Sequence, residues 1–181
     1  MSRYASLAVL ACALLVLTGI AQAQALSGTT TLSVTVPNEA SISISDATSA
    51  LDTSGGLFTN PFTGATNFNY KIRTLKTGGQ GSITLEVTTD FSPANGPSVT
   101  TPPDPTDTLT YSCTLGGPGT KCADNTVAST GAATSVASFG TGAKSTTKNG
   151  NTGFVQWSLP NDPIYAAGDY SAVVTFTISA T

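Results

Sequence analysis

Tyr170-Ser171-Ala172-Val173-Val174-Thr175-Phe176-Thr177-Ile178 sets Tyr170, Ala172, Val174, Phe176 and Ile178 against Ser171, Val173, Thr175 and Thr177. Alternate residues of a strand point to opposite faces, so this segment reads as a β-strand with one apolar and one hydroxylated face. The same period recurs upstream. Val155, Trp157 and Leu159 alternate with Phe154, Gln156 and Ser158. Ile83, Leu85 and Val87 form another strand, and Phe68, Tyr70 and Ile72 alternate with Asn67, Asn69, Lys71 and Arg73. Leu109, Tyr111 and Cys113, the weaker Ala133 to Phe139, Ile42 with Ile44, and Leu32, Val34 and Val36 complete the set.

Turn residues separate these runs. Pro37-Asn38 stops the Leu32 to Val36 strand, and Gly78-Gly79-Gln80-Gly81 reads as a tight turn between hairpin partners. Asp90 to Pro105 carries five prolines and an Asn-Gly, and is expected to be the longest loop. A second hairpin is expected around Asn161-Asp162-Pro163 and Gly168, placing the last strand beside Trp157, the central core residue. Seven to eight strands without a helical period predict an all-β fold, a single antiparallel immunoglobulin-like β-sandwich. A β-barrel has the same periodicity and is the alternative.

The first residues carry a different pattern. Arg3 precedes an apolar run from Leu7 to Ile20, followed by Ala21-Gln22-Ala23 and Ala23-Gln24-Ala25. That is the layout of a secretory signal peptide, expected to cover residues 1–23 with cleavage after 23 or after 25. The sandwich is then expected over 24–181. Val9-Leu10-Ala11-Cys12 resembles a lipoprotein box, but the apolar run continues past Cys12 to the better cleavage site. The run is shorter than the roughly 20 residues a membrane helix needs, and no later run approaches that length, so no membrane span is expected after leader removal. The expected location is therefore secreted: periplasm, cell surface or extracellular space.

Loss of Arg3 with the leader leaves six basic and ten acidic side chains. Phosphate binding needs clustered Lys or Arg, and the nearest group, Lys71, Arg73 and Lys76, reads as a solvated strand face, so nucleic acid is not an expected partner. Charged residues are only 9% of the chain, whereas Thr occurs 32 times and Ser 20 times, so solubility rests on hydroxyl groups. Cys113 and Cys122 are the two cysteines outside the leader. With Gly116-Gly117-Pro118-Gly119 between them to reverse the chain, they are expected to form a disulfide.

The chain has no histidine, which removes Ser-His-Asp and Cys-His catalysis and the usual zinc sites. A Lys144-Ser145 dyad lies in a polar turn with nothing to lower the lysine pKa. Asp104 and Asp107 are the closest carboxylate pair, too few oxygens for calcium and set in a proline-rich spacer. No catalytic residue, metal site or cofactor is expected, and the chain reads as non-enzymatic. For glycan binding, the residue types present are loop aromatics beside carboxylates. Phe58, Phe62, Phe91 and Tyr165 fall in expected loops, and Tyr165, Phe91, Asp104 and Asp107 are the candidate ligand-binding residues. The alternative is that these aromatics cover the open ends of the sandwich.

Thr152 to Pro160 followed by Gly168 to Ile178, with Trp157-Ser158-Leu159 at its centre, resembles the closing hairpin of bacterial cell-surface β-sandwich domains, including WxL-type domains and secreted pilin-like proteins. Chaperone–usher pilins share the leader, the single disulfide and strands rich in Thr, Ser and Gly. The resemblance implies a structural or adhesive surface protein, with self-association or other surface proteins as partners. Leu32, Val34 and Val36 are the candidate strand-exchange residues. Left unpaired by its own fold, their strand could complete a neighbour's sheet; otherwise it pairs within its own sandwich.

Overall fold

The computed structural model describes residues 28–181. The expected leader, its cleavage sites and Cys12 lie outside the described residues. The chain divides into two units, Met1–Thr35 and Val36–Thr181. Of the first unit, residues 28–35 are described; they hold no strand and all of them are exposed.

The second unit contains ten strands: β1 (Glu39–Ile44), β2 (Asp52–Thr53), β3 (Phe62–Arg73), β4 (Gly81–Ser92), β5 (Thr110–Leu115), β6 (Thr120–Lys121), β7 (Thr126–Val127), β8 (Thr134–Phe139), β9 (Asn151–Leu159) and β10 (Ser171–Ala180). Seven of them are six residues or longer; β2, β6 and β7 are two-residue pieces that no periodicity could reveal. One sheet runs β1-β3-β9-β5-β7, with β2 also on β3; the other runs β10-β4-β8-β6. All pairings are antiparallel. The sheets do not close on each other, so the fold is a β-sandwich and not a barrel.

The alternation read from sequence becomes the core. Phe68, Tyr70 and Ile72 of β3 and Val155, Trp157 and Leu159 of β9 face Ile83, Leu85 and Val87 of β4 and Val136 and Phe139 of β8, all buried. Phe68 sits opposite Gly153 in the β3–β9 register, and a Cβ on Gly153 would meet its ring at 2.5 Å, so glycine makes room for the aromatic. Tyrosine hydroxyls strut the sheets. Tyr111 on β5 bonds the Thr134 hydroxyl and the Ser135 carbonyl of β8, each at 2.8 Å. Tyr70 donates to the Pro118 carbonyl at 2.9 Å. These bonds let two large side chains lie in the core without an unpaired hydroxyl.

Several expectations are corrected. No strand forms over Leu32 to Val36, where one was expected. Gly78–Gly81 does not close a hairpin, because β3 and β4 lie in different sheets. The hairpin expected between the Trp157 strand and the last strand is also absent, since β9 belongs to one sheet and β10 to the other. In each case the strands were legible but the connection crosses the sandwich, and polar turn residues serve both purposes. Strand β4 extends through Asp90 to Ser92, so the proline-rich loop begins at the cis Ser92–Pro93 bond. Phe62 and Phe91, expected in loops, lie on β3 and β4 and pack against the core.

Candidate functional site

The two long sides of the sandwich are finished differently. On one, Cys113 of β5 and Cys122, which follows β6, form a disulfide with Cα atoms 5.5 Å apart. It ties the two sheets together, and the Cys122 amide also donates to the Val136 carbonyl of β8 at 2.9 Å. The expected pairing is present, and both sulfurs are buried.

On the other side lie β1 and β10, each the last strand of its sheet. They lie close to one another, and the Asn38 amide donates to the Ala180 carbonyl at 2.8 Å. Strand β10 pairs with β4 along one flank, placing Phe176 beside Leu85 and Ile178 beside Ile83. Its other flank has no strand partner among the described residues. The inward row Ala172, Val174, Phe176, Ile178 and Ala180 is only partly buried, whereas Ile83 and Leu85, one strand further in, are fully enclosed. Phe176 is the best anchored of the row, its ring 6.0 Å from that of Phe68.

The candidate strand-exchange residues are more exposed than that row. Leu32 is 92%, Val34 86% and Val36 54% exposed. Large apolar side chains scattered singly on a surface are ordinary, but these three recur at alternate positions, the spacing of a strand face, in an uncharged segment that forms no strand.

The other candidate residues converge at the loops. Asp107 is buried at 3% exposure, and one carboxylate oxygen, Oδ2, makes no hydrogen bond within the protein. Burial raises its pKa; the neighbouring Tyr165 hydroxyl works against this, while the charges of Asp162 and Asp104 add to it. The Tyr165 hydroxyl is buried too, without an aligned partner, and burial together with the Asp107 carboxylate raises it. Asp104 caps its own turn, accepting from the Thr106 amide at 2.8 Å and hydroxyl at 2.7 Å, bonds that lower its pKa. The structure therefore brings Asp104, Asp107 and Tyr165 together and adds Asp162, which the sequence reading used only as a turn residue. Phe91 instead packs against the core. Among the described residues, no group of three His, Cys, Asp or Glu side chains is placed to hold a metal ion.

Asp90 is the other acidic residue that sequence inspection passed over. Its carboxylate accepts from the amides of Phe91, Val99 and Thr100 and from the Ser98 hydroxyl, at 2.7 to 3.0 Å, and so fastens the proline-rich loop to the end of β4. Ser145, of the Lys-Ser pair, accepts from the Ile72 amide at 3.0 Å and donates its own amide to the Ile72 carbonyl at 2.9 Å. Its hydroxyl thus docks a loop on β3. Compared with known protein families, curated proteins and solved structures, the chain matches none significantly.

Proposed function

We propose that this protein is a secreted or surface-associated, non-enzymatic β-sandwich with a structural or adhesive role, assembling with further copies by strand addition. The observation that carries the reading is the state of Leu32, Val34 and Val36: a strand pattern that is exposed and unpaired. A strand added to a sheet edge contributes main-chain hydrogen bonds, and its alternating side chains enter the core. The disulfide and the absence, among the described residues, of a helix able to cross a membrane fit an extracellular setting.

The glycan-binding alternative rests on the convergence of Tyr165, Asp104 and Asp107. It has less support, because the Tyr165 hydroxyl is buried and Phe91 is committed to the core. Light scattering on the mature protein, with and without Val34→Lys, separates the readings. Regular multiples that collapse to a monomer in the variant support assembly. A monomer in both would overturn it and turn attention to a glycan array, read against Tyr165→Ala.

A further inference from the structure

Six basic side chains lie outside the expected leader, and four of them, Lys71, Arg73, Lys144 and Lys148, line one shallow groove on the outer face of the larger sheet. The groove sits at the Arg73 end of β3; the loops that hold Asp107 and Tyr165 lie beyond the other end, where Phe62 pairs with Leu159. Its floor follows from the register of β1 on β3, which sets Glu39 opposite Arg73, Ser41 opposite Lys71 and Ser43 opposite Asn69, all on the face away from the core. The turn between β8 and β9 borders it. Ser145 docks that turn on Ile72, Lys144 bridges to Arg73, and the buried Asn151 side chain accepts from the Thr146 amide at 3.2 Å and donates to the Thr146 hydroxyl. Gly150, with φ at +94°, brings the turn so close to β3 that a Cβ there would meet the Tyr70 carbonyl oxygen at 2.7 Å. The lysines are thus carried on braced backbone. A second hollow continues the groove past Ser41 and Lys71 to Ser43, Asn69 and Asn149, and each has a volume of about 520 Å³.

We propose that this groove binds a linear acidic polysaccharide, with carboxylate or sulfate groups on the lysines and sugar hydroxyls on the Ser, Thr and Asn side chains between them. Against its four cations the groove holds one carboxylate, Glu39, and Arg73 takes it up. Lys71, Lys144 and Lys148 make no ion pair among the described residues. Three uncompensated ammonium groups in one recess concentrate positive potential on a chain that carries more acidic than basic residues. An elongated, shallow hollow accommodates a chain, whereas a compact ligand calls for an enclosed and mostly apolar pocket. Single-stranded nucleic acid calls for exposed rings on which bases stack, and the one aromatic residue lining the groove, Tyr70, is buried. A membrane surface is met by projecting apolar side chains beside the cations, and Ala40, Ile42 and Ile72 are instead turned to the core. The site uses none of Leu32, Val34 and Val36 and does not depend on assembly.

Binding of the full mature chain to immobilised polygalacturonate and dextran sulfate, with neutral dextran as the blank, tests this across a salt series. Lys71→Gln/Lys148→Gln removes two charges from the groove, and Lys76→Gln/Lys121→Gln removes two outside it. All four lysines are exposed, and circular dichroism checks that both variants fold. The expected result is binding to at least one acidic polymer and not to dextran, weakened by added salt. The groove variant should bind about ten-fold more weakly or worse, and the control variant within about two-fold of the unsubstituted protein. No binding to either acidic polymer overturns the proposal, as does an equal loss in the two variants, which would reduce the effect to net charge. Tighter binding to duplex DNA or to phosphatidylglycerol vesicles than to both polymers overturns the polysaccharide as occupant. Light scattering on the same samples separates this proposal from strand addition: a monomer that binds polygalacturonate or dextran sulfate through the groove sinks assembly alone, and regular multiples that bind neither sink the groove alone.

Discussion

The Trp157 indole N–H donates to the Thr66 hydroxyl, 2.8 Å away and buried with it between β9 and β3. The Thr66 oxygen in turn lies 2.7 Å from the Ser49 hydroxyl, so the indole is the inner end of a short polar chain that leads outward. Thr66→Val keeps the shape and removes the acceptor. An unpaired buried donor costs about 1–3 kcal/mol, so the denaturant midpoint should fall accordingly. Thr66→Ser, which keeps the oxygen, should recover much of that loss.

Reduction of Cys113–Cys122 releases a constraint on a ring of about ten residues, for which chain entropy gives roughly 2.5 to 3 kcal/mol. Equilibrium unfolding with and without reductant measures it directly. A Cys113→Ala/Cys122→Ala variant should match the reduced protein and be insensitive to reductant.

Asp90 governs stability in acid. Burial acts to raise its pKa, but the donors from Val99, Ser98, Thr100 and Phe91 outweigh it and bring the carboxyl from 3.8 down to about 2. A depressed folded value means that the contribution is complete above the unfolded pKa, near 3.9, and is lost as pH falls towards 2. Asp90→Asn replaces an accepting oxygen by an amide that cannot accept. It should lower stability at pH 7 by about 1–2 kcal/mol and flatten the acid limb of the stability profile.

Asp107 has the opposite sign. Its folded pKa is raised, chiefly by burial, so the native state holds its proton more tightly than the unfolded chain does. Stability from this group therefore declines as pH rises from about 4 through the raised folded value, the reverse of Asp90. Asp107→Asn removes the buried charge while keeping the size. It should leave the melting temperature at pH 7 unchanged or higher, and differential scanning calorimetry across pH 3 to 7 should show a smaller decline than in the wild type.

Alternation made the seven long strands legible, because burial on one face imposes a period of two that Phe68, Leu85, Val155 and Phe176 all obey. The partners of those strands were not legible. Gly78–Gly81 and Asn161–Gly168 look like hairpin turns, yet both carry the chain from one sheet to the other. Leu32, Val34 and Val36 show the converse: the spacing of a strand in residues that form none. In the loops, Asp104 and Asp107 stood out as neighbours in sequence. Asp162 joins them only through the fold, and Asp90 acts mainly through the backbone amides of Phe91, Val99 and Thr100, which no side-chain pattern announces.

The register also bears on how fast the domain can form. Strand β3 pairs with β9, setting Phe62 opposite Leu159, and β4 pairs with β10, setting Leu85 opposite Phe176. Each sheet thus joins an early strand to one of the last two, and contacts so remote along the chain slow folding through the entropy of closing long loops. During synthesis neither sheet has its full complement until β9 and β10 have emerged. Until then Phe68, Tyr70, Ile83 and Leu85 lack the partner strands that cover them in the folded domain, and exposed apolar surface of this kind is what leads folding chains to aggregate.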